Sequence, residues 1–327
     1  MFFLICALAA NLHAQLGVKL DLDREHYILY EPIQATIQLR NYAGNTLVFG
    51  TEDAAEEVGG YLKFEVIRAG GLSAPDVRKN VNPVENLILG PGETKELTVQ
   101  LNGIVNMARE GNYTVSVRVG HPRLSHDYKS DSVPIDITEG YPVWTRTAGV
   151  PQDSETNSIP PRKVSLLRFR SKEGETYVLR VEDDRMVYGI VRLGPYLSSS
   201  RPEYQIDAMS NIHLLYQIHP RLYVYRIYDI DVELKQNLYY AMEETVPTLR
   251  RDPDVGSIRL VGGRRAKPGE DYQLKPGTGP ESVPQALSPN SDSDSEDGTL
   301  QDPRKAMPRL PRKTIPATPE SSSIPDS

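Results

Sequence analysis

Six histidines, three clusters of carboxylates and one cysteine are the side chains of this 327-residue chain best suited to catalysis or metal binding, and their spacing assembles little of that chemistry. His213 and His219 are an even number apart, which puts both on one face of a continuous strand, but Pro220 follows and ends it. His13 lies in the leading segment, His26 at a strand entry, and His121 and His126 flank a Pro-Arg-Leu-Ser loop. No HExxH helix and no second ligand pair accompany them, so no metal or other cofactor is expected. There is no G-x-S-x-G elbow, no S-x-x-K and no glycine-rich phosphate loop ending in Lys-Ser or Lys-Thr, which disfavours serine hydrolase and nucleotide chemistry. Asp21, Asp23 and Glu25, then Glu182, Asp183 and Asp184, then Asp229, Asp231 and Glu233 could cleave a glycoside or hold calcium. Each group falls where a strand turns, the usual place for solvated acids. In residues 291–298 the glycine is out of register with a calcium loop, leaving a polyacidic spacer. The chain is therefore expected to be non-catalytic.

The leading residues set the compartment. Residues 2–10 form an apolar run suited to an export leader and well short of the roughly 20 residues a membrane-spanning helix needs. Cleavage is expected between Ala14 and Gln15, with Ala10 as second choice, although no Lys or Arg precedes the run. The single cysteine, Cys6, lies in this segment, so the expected mature protein has no thiol and no disulfide. The expected location is periplasmic, cell-surface or secreted.

Charge argues against nucleic acid as a partner. Residues 16–139 carry 12 basic and 18 acidic side chains, residues 140–262 carry 16 of each, and the remainder 9 and 10. No segment is basic enough to displace counterions from a phosphate backbone. A protein or a glycan is the expected partner.

The elements that would position any site are strands. Residues 16–139 show period-two apolar patterning in short runs separated by turn residues, as in an all-β sandwich. Expected strands are 18–22, 33–39, 46–49, 61–67, 85–89, 96–101, 113–119 and 133–137. Ile33, Ala35, Ile37 and Leu39 alternate with Gln34, Thr36, Gln38 and Arg40, one face for a core and one for water. Turns are signalled by Glu31-Pro32, Pro91-Gly92 and Gly111-Asn112. The order Tyr30-Glu31-Pro32-Ile33, Leu39-Arg40-Asn41, Leu89-Gly90-Pro91-Gly92-Glu93-Thr94 and Glu110-Gly111-Asn112-Tyr113-Thr114-Val115 resembles bacterial immunoglobulin-like domains of the macroglobulin and intracellular-proteinase-inhibitor types. That resemblance implies an immunoglobulin-like β-sandwich. It also implies, as an alternative function, proteinase inhibition through an exposed loop at residues 51–60 or 69–82.

Residues 163–262 contain a repeat. Tyr177-Val178-Leu179-Arg180-Val181-Glu182-Asp183 returns 46 residues later as Tyr223-Val224-Tyr225-Arg226-Ile227-Tyr228-Asp229. A further apolar run precedes each copy, at residues 164–169 and 212–216. The period is that of a four-stranded propeller blade, and Asn211-Ile212-His213-Leu214-Leu215-Tyr216 followed by Tyr223-Val224-Tyr225-Arg226 resembles blade hairpins. Two copies are too few to close a propeller, so a small antiparallel meander of two blade-like units is expected. Alternation assigns Tyr177, Leu179 and Val181, and at matching places Tyr223, Tyr225 and Ile227, to the core face. Arg180, Arg226 and Tyr228 are then the candidate ligand surface, since tyrosine and arginine suit recognition. The structural alternative is that tyrosine forms strands well and arginine covers its neighbours with its aliphatic stem.

Residues 140–162 read as a junction and linker, with Trp144 as an anchor. Residues 263–327 hold eleven of the chain's 26 prolines and few large apolar side chains, the composition of a disordered tail. The expectation is an all-β, exported, non-catalytic binding or scaffold protein. Inhibition of a proteinase and a glycosidase on the Asp229 cluster are the second and third readings.

Overall fold

The computed structural model describes residues 14–50, 59–77, 81–151, 160–273 and 285–286. They fall into two compact units, one drawn from Met1–Tyr27 and Pro32–Ile137, the other from Ile28–Glu31 and Thr138–Ser327. The chain is all-β. Among the described residues no helix is long and apolar enough to cross a membrane.

The first unit holds Leu16–Leu22 (β1), His26–Ile28 (β2), Gln34–Asn41 (β3), Leu47–Val48 (β4), Tyr61–Arg68 (β5), Leu72–Ser73 (β6), Ile88–Leu89 (β7), Thr94–Gln100 (β8), Gly111–Gly120 (β9), Tyr128–Lys129 (β10) and Val133–Thr138 (β11). One sheet runs β1-β3-β8, a second runs β2-β11-β9-β5-β6 with β10 also on β9, and β4 pairs with β7. The pairs β1–β3, β3–β8, β9–β11, β9–β10, β5–β9 and β5–β6 are antiparallel, whereas β2 runs alongside β11 in the same direction, with Asp136 N–H donating to the Glu25 carbonyl and Leu29 N–H to the Thr138 carbonyl. The sheets meet where β1 packs on β9 and β10. Period-two patterning places the core: Ile33, Ala35, Ile37 and Leu39 are buried, as are Val115, Val117 and Val119. Each large aliphatic among them contributes about 1.5–3 kcal/mol of transfer free energy. The reversals use the residues expected. Gly92 has φ 75° between β7 and β8, and Gly111 opens β9 at φ 137°. Short β2, β6 and β10 are additional to the expected strands, and the run at 85–89 is strand only at Ile88–Leu89.

The second unit holds Tyr141–Ala148 (β12), Arg162–Ser171 (β13), Gly174–Glu182 (β14), Val187–Pro195 (β15), Glu203–Ile206 (β16), Ile212–His219 (β17), Leu222–Tyr228 (β18), Leu234–Ala241 (β19), Thr248–Arg251 (β20), Ile258–Val261 (β21), Arg264–Arg265 (β22), Tyr272–Gln273 (β23) and Gln285–Ala286 (β24). Two antiparallel meanders result, β12-β13-β14-β15 and β16-β17-β18-β19, the second extended by β22. The repeated segments are the third strand of each meander, β14 and β18.

The meanders stack front to back. Tyr177, Leu179 and Val181 of the first share a core with Leu222, Val224 and Tyr228 of the second. Those residues lie on opposite faces of the two repeat copies. Tyr223 and Tyr225 instead cluster with Leu215 and Leu249, with Ile227, Ile258 and Leu260 packed alongside, beneath the β20–β21 hairpin. The expected core face is thus correct for the first copy. In the second copy the expected face is also buried, but in a separate core beneath β20–β21, and the opposite face meets the first meander. The outer face of the first meander is covered by Ile28, which clusters with Leu167, Phe169 and Val178.

Two segments differ from expectation. Residues 141–148, read as a junction, are the first strand of the first meander, paired along β13. The ordered unit also continues past residue 262. Ala266 and Tyr272 are buried in the shared core, and Arg264 clamps Asp271 through both Nη atoms at 2.7 Å. The rest of the expected tail, apart from residues 285–286, lies outside the described residues.

Candidate functional site

Arg226, Arg180 and Tyr228, expected on a ligand-facing surface, are all buried. For Arg226 and Tyr228 the cause is the stacking: what would be the solvent face of an isolated second sheet meets the first sheet instead. Arg226 is fully enclosed, and its Nη1 donates to the Leu193 carbonyl at 3.2 Å and to the Tyr228 hydroxyl at 3.3 Å, while Nε donates to Asn237 Oδ1. Tyr216 also donates to the Leu193 carbonyl, at 2.8 Å. That carbonyl is open because β14 and β15 shift register at a bulge that skips Leu193. Burial opposes the charge on Arg226, but the phenolic oxygens of Tyr216 and Tyr228 outweigh it and hold the guanidinium protonated. Arg226 and Tyr228 form a joint between sheets.

Arg180 occupies the equivalent position in the first meander, on its outer face. Its Nη2 lies 3.2 Å from Glu139 and 3.4 Å from Glu182. Glu182 is itself buried and paired at 2.7 Å with Lys163 Nζ. Arg180 Nε and Nη1 are buried and have no hydrogen-bond partner among the described residues. Nearby, Tyr30 sits in left-handed backbone at φ 73°. Burial raises its phenol pKa, and the Glu182 charge raises it further. The row Glu139, Arg180, Glu182, Lys163 alternates in sign, so each buried charge has a counter-ion.

Lys163 carries this row out to solvent. It lines a cleft of about 660 Å³ with Thr145, Arg146, Thr147, Pro160, Pro161, Asp183, Asp184 and Arg185. Edge strand β12 and the β14–β15 turn supply most of the wall. Asp183 builds that turn, accepting from the backbone N–H groups of Arg185 and Met186 at 2.7 and 2.8 Å and from the Tyr188 hydroxyl at 2.7 Å. Burial works against its charge, but those three donors hold the carboxyl below its usual range. Behind the β12 wall, Trp144 stacks on Tyr204 at 3.8 Å, and the Arg146 guanidinium lies 5.5 Å from the Tyr204 ring. The cleft therefore presents hydroxyls and fixed charges of both signs. Sequence reasoning missed it because Arg146, Lys163 and Arg185 are far apart in the chain and belong to no motif.

The other sequence candidates have local roles. His213 joins a chain: Asp207 Oδ2 lies 3.2 Å from Nε2, and the Tyr225 hydroxyl lies 2.6 Å from Nδ1. Burial opposes the Asp207 charge, but hydrogen bonds from Asn211 and His213 lower its pKa. An ionised Asp207 can only accept, so His213 Nε2 carries the proton that faces it. Burial, with help from Tyr240 and Asp207, pushes the Tyr225 phenol up to about 12. The phenol packs in the core under β20–β21, and the chain of bonds anchors the loop before β17. Asp229 accepts from the N–H groups of Asp231 and Glu233 and pairs with Lys235, while Asp231 pairs with Arg162. These acids close the β18–β19 turn. Among the described residues no three His, Cys, Asp or Glu side chains gather as metal ligands. Of the expected inhibitory loops, residues 51–58 and 78–80 lie outside the described residues, and residues 69–77 are held by β6 and a bridge from Asp76 to Val105.

Ala14 is exposed, and Gln15 beside it is held by four hydrogen bonds. Residues 1–13 lie outside the described residues.

No family model matches the chain, and no curated protein matches it. Among solved structures, the sporulation control protein Spo0M from Bacillus subtilis is similar at 10% identity and a TM-score of 0.26, covering 52% of this chain and 80% of that one. The CsuC–CsuE chaperone–tip adhesion subunit pre-assembly complex of Acinetobacter baumannii is similar at 11% identity and a TM-score of 0.21, covering 68% and 97%. Likenesses this distant carry no argument about family or function.

Proposed function

We propose that this chain is an exported, non-catalytic binding or scaffold protein that engages a protein or glycan partner at the cleft around Arg146, Lys163 and Arg185. The observation that carries this reading is the cleft itself. Its volume of about 660 Å³ is within the range of ligand pockets, and its wall offers Thr145, Thr147, Asp184 and three cations for directional hydrogen bonding. Its Lys163 is already committed to Glu182, which suits recognition better than proton transfer. Export is supported by the apolar run at residues 2–10, and by the placement of exposed Ala14 beside well-bonded Gln15, where a cut leaves the first sheet's contacts in place. The first unit serves, in this reading, as an immunoglobulin-like platform.

Arg146 and Arg185 are exposed, so Arg146→Ala with Arg185→Ala should change stability by less than about 0.5 kcal/mol each. The test is a binding screen on arrays of oligosaccharides and peptides, with the wild-type protein and this double variant. A ligand retained by the wild type and lost by the variant supports the cleft. Ligands bound equally by both place recognition elsewhere.

A further inference from the structure

Gln15 is bonded in an unusual way for a residue beside an expected cleavage point. Its backbone N–H donates to the Tyr128 hydroxyl at 2.8 Å, and its side-chain Oε1 accepts from the Ser125 N–H at 2.8 Å. Its carbonyl accepts from the N–H groups of Tyr42 and Ala43 at 2.8 and 3.0 Å. Among the described residues, the remaining polar atom, Nε2, makes no hydrogen bond. An N-terminal glutamine can cyclise: the α-amine attacks Cδ, the Nα–Cδ bond forms, the Cδ–Nε2 bond breaks, and Nε2 takes up the amine proton and leaves as ammonia. The lactam keeps one N–H, one ring carbonyl oxygen and the backbone carbonyl. Every atom it keeps already has a partner here, and the atom it loses has none.

We propose that Gln15, once N-terminal, closes to pyroglutamate and that Tyr128 and Ser125 hold the lactam against the turn between β9 and β10. This rests on the export reading given above, in particular on cleavage after Ala14. A lactam N–H and C=O point to the same side of the ring, and Tyr128 and Ser125 lie only three residues apart in one loop, so a single turn can satisfy both. Cyclisation removes the α-amino charge from a half-buried position next to β1 and leaves no free amine for an aminopeptidase to grip.

The experiment is to express the full chain in a host that exports it, recover the exported protein and weigh its N-terminal peptide. The expected result is a chain that starts at residue 15 and is lighter by one ammonia. Pyroglutamyl peptidase should then remove the lactam from the native protein about tenfold more slowly than from the unfolded chain, the effect of two net hydrogen bonds, and Tyr128→Phe should recover part of that difference. A free Gln15 amine that persists on storage overturns cyclisation while leaving cleavage intact. An N-terminus at any other residue overturns the cleavage reading and the proposal with it. A lactam removed equally fast from native and unfolded protein overturns the anchoring.

Discussion

Arg226 illustrates how a residue type suited to recognition can be spent on packing. It is wholly enclosed, charged, and tied to a carbonyl that a bulge leaves open. Replacing it by alanine leaves that carbonyl with one donor and opens a void among tyrosines, so Arg226→Ala should lose about 3–5 kcal/mol. Arg226→Met, which refills the volume, should lose less. Urea denaturation followed by the fluorescence of Trp144, the chain's one tryptophan, measures both. An Arg226→Ala protein as stable as the wild type would refute the joint. The sequence showed Arg226 as the partner of Arg180 in a repeat, and the two lie on the third strands of the two meanders. It could not show the burial, because alternation distinguishes inside from outside only when one face of a sheet is wet. Tyr225 and Arg226 point in opposite directions and both are covered.

At the scale of elements, strands with one wet face were legible and strands with special circumstances were not. The third strand of the first unit read clearly because Ile33, Ala35, Ile37 and Leu39 alternate with polar neighbours. β12 was hidden because it is an edge strand, exposed at Tyr141, Pro142, Val143 and Thr145 to Thr147, with little apolar side to show. β22 and β23 were hidden by the proline, glycine and charge around them, although one clamp fastens them. The Arg264 guanidinium, hydrogen-bonded to Asp271, holds that carboxyl below the usual carboxylate range. The folded pKa is below the unfolded one, so the clamp's contribution is complete above the ordinary aspartate value of about 3.9 and is lost as pH falls through the folded pKa. Stability of the wild type should therefore fall more steeply than that of Asp271→Asn between about pH 5 and pH 2. Thermal melts of both proteins across that range test the slope, and parallel curves would mean the clamp is not closed.

At the scale of the molecule, the second unit includes four residues from far upstream. Ile28 lies on Leu167, Phe169 and Val178, and buried Glu31 receives Arg192 through Nε at 2.7 Å and Nη2 at 2.8 Å. Neither pattern nor motif could reveal this in the sequence, where the same residues read only as a turn before a strand. A fragment beginning at Thr138 lacks the cover. It should bind a hydrophobic dye that the full chain does not, and melt several degrees lower. A fragment with the full chain's melting temperature would show that the strip is dispensable. The strip also sets an order of events during synthesis. Glu31 and Arg192 are 161 residues apart, so at about 5–20 residues per second Arg192 leaves the ribosome roughly 8–30 s after Glu31. Throughout that interval Glu31 must wait without its partner, and Ile28 waits nearly as long for Leu167, Phe169 and Val178. Closing so long a loop is entropically costly and slow, although doubling its length again would add only about 0.6 kcal/mol. The first segment of the second unit to be made thus cannot be put in place until the first meander is complete, and the outer face of that meander stays sticky until it is.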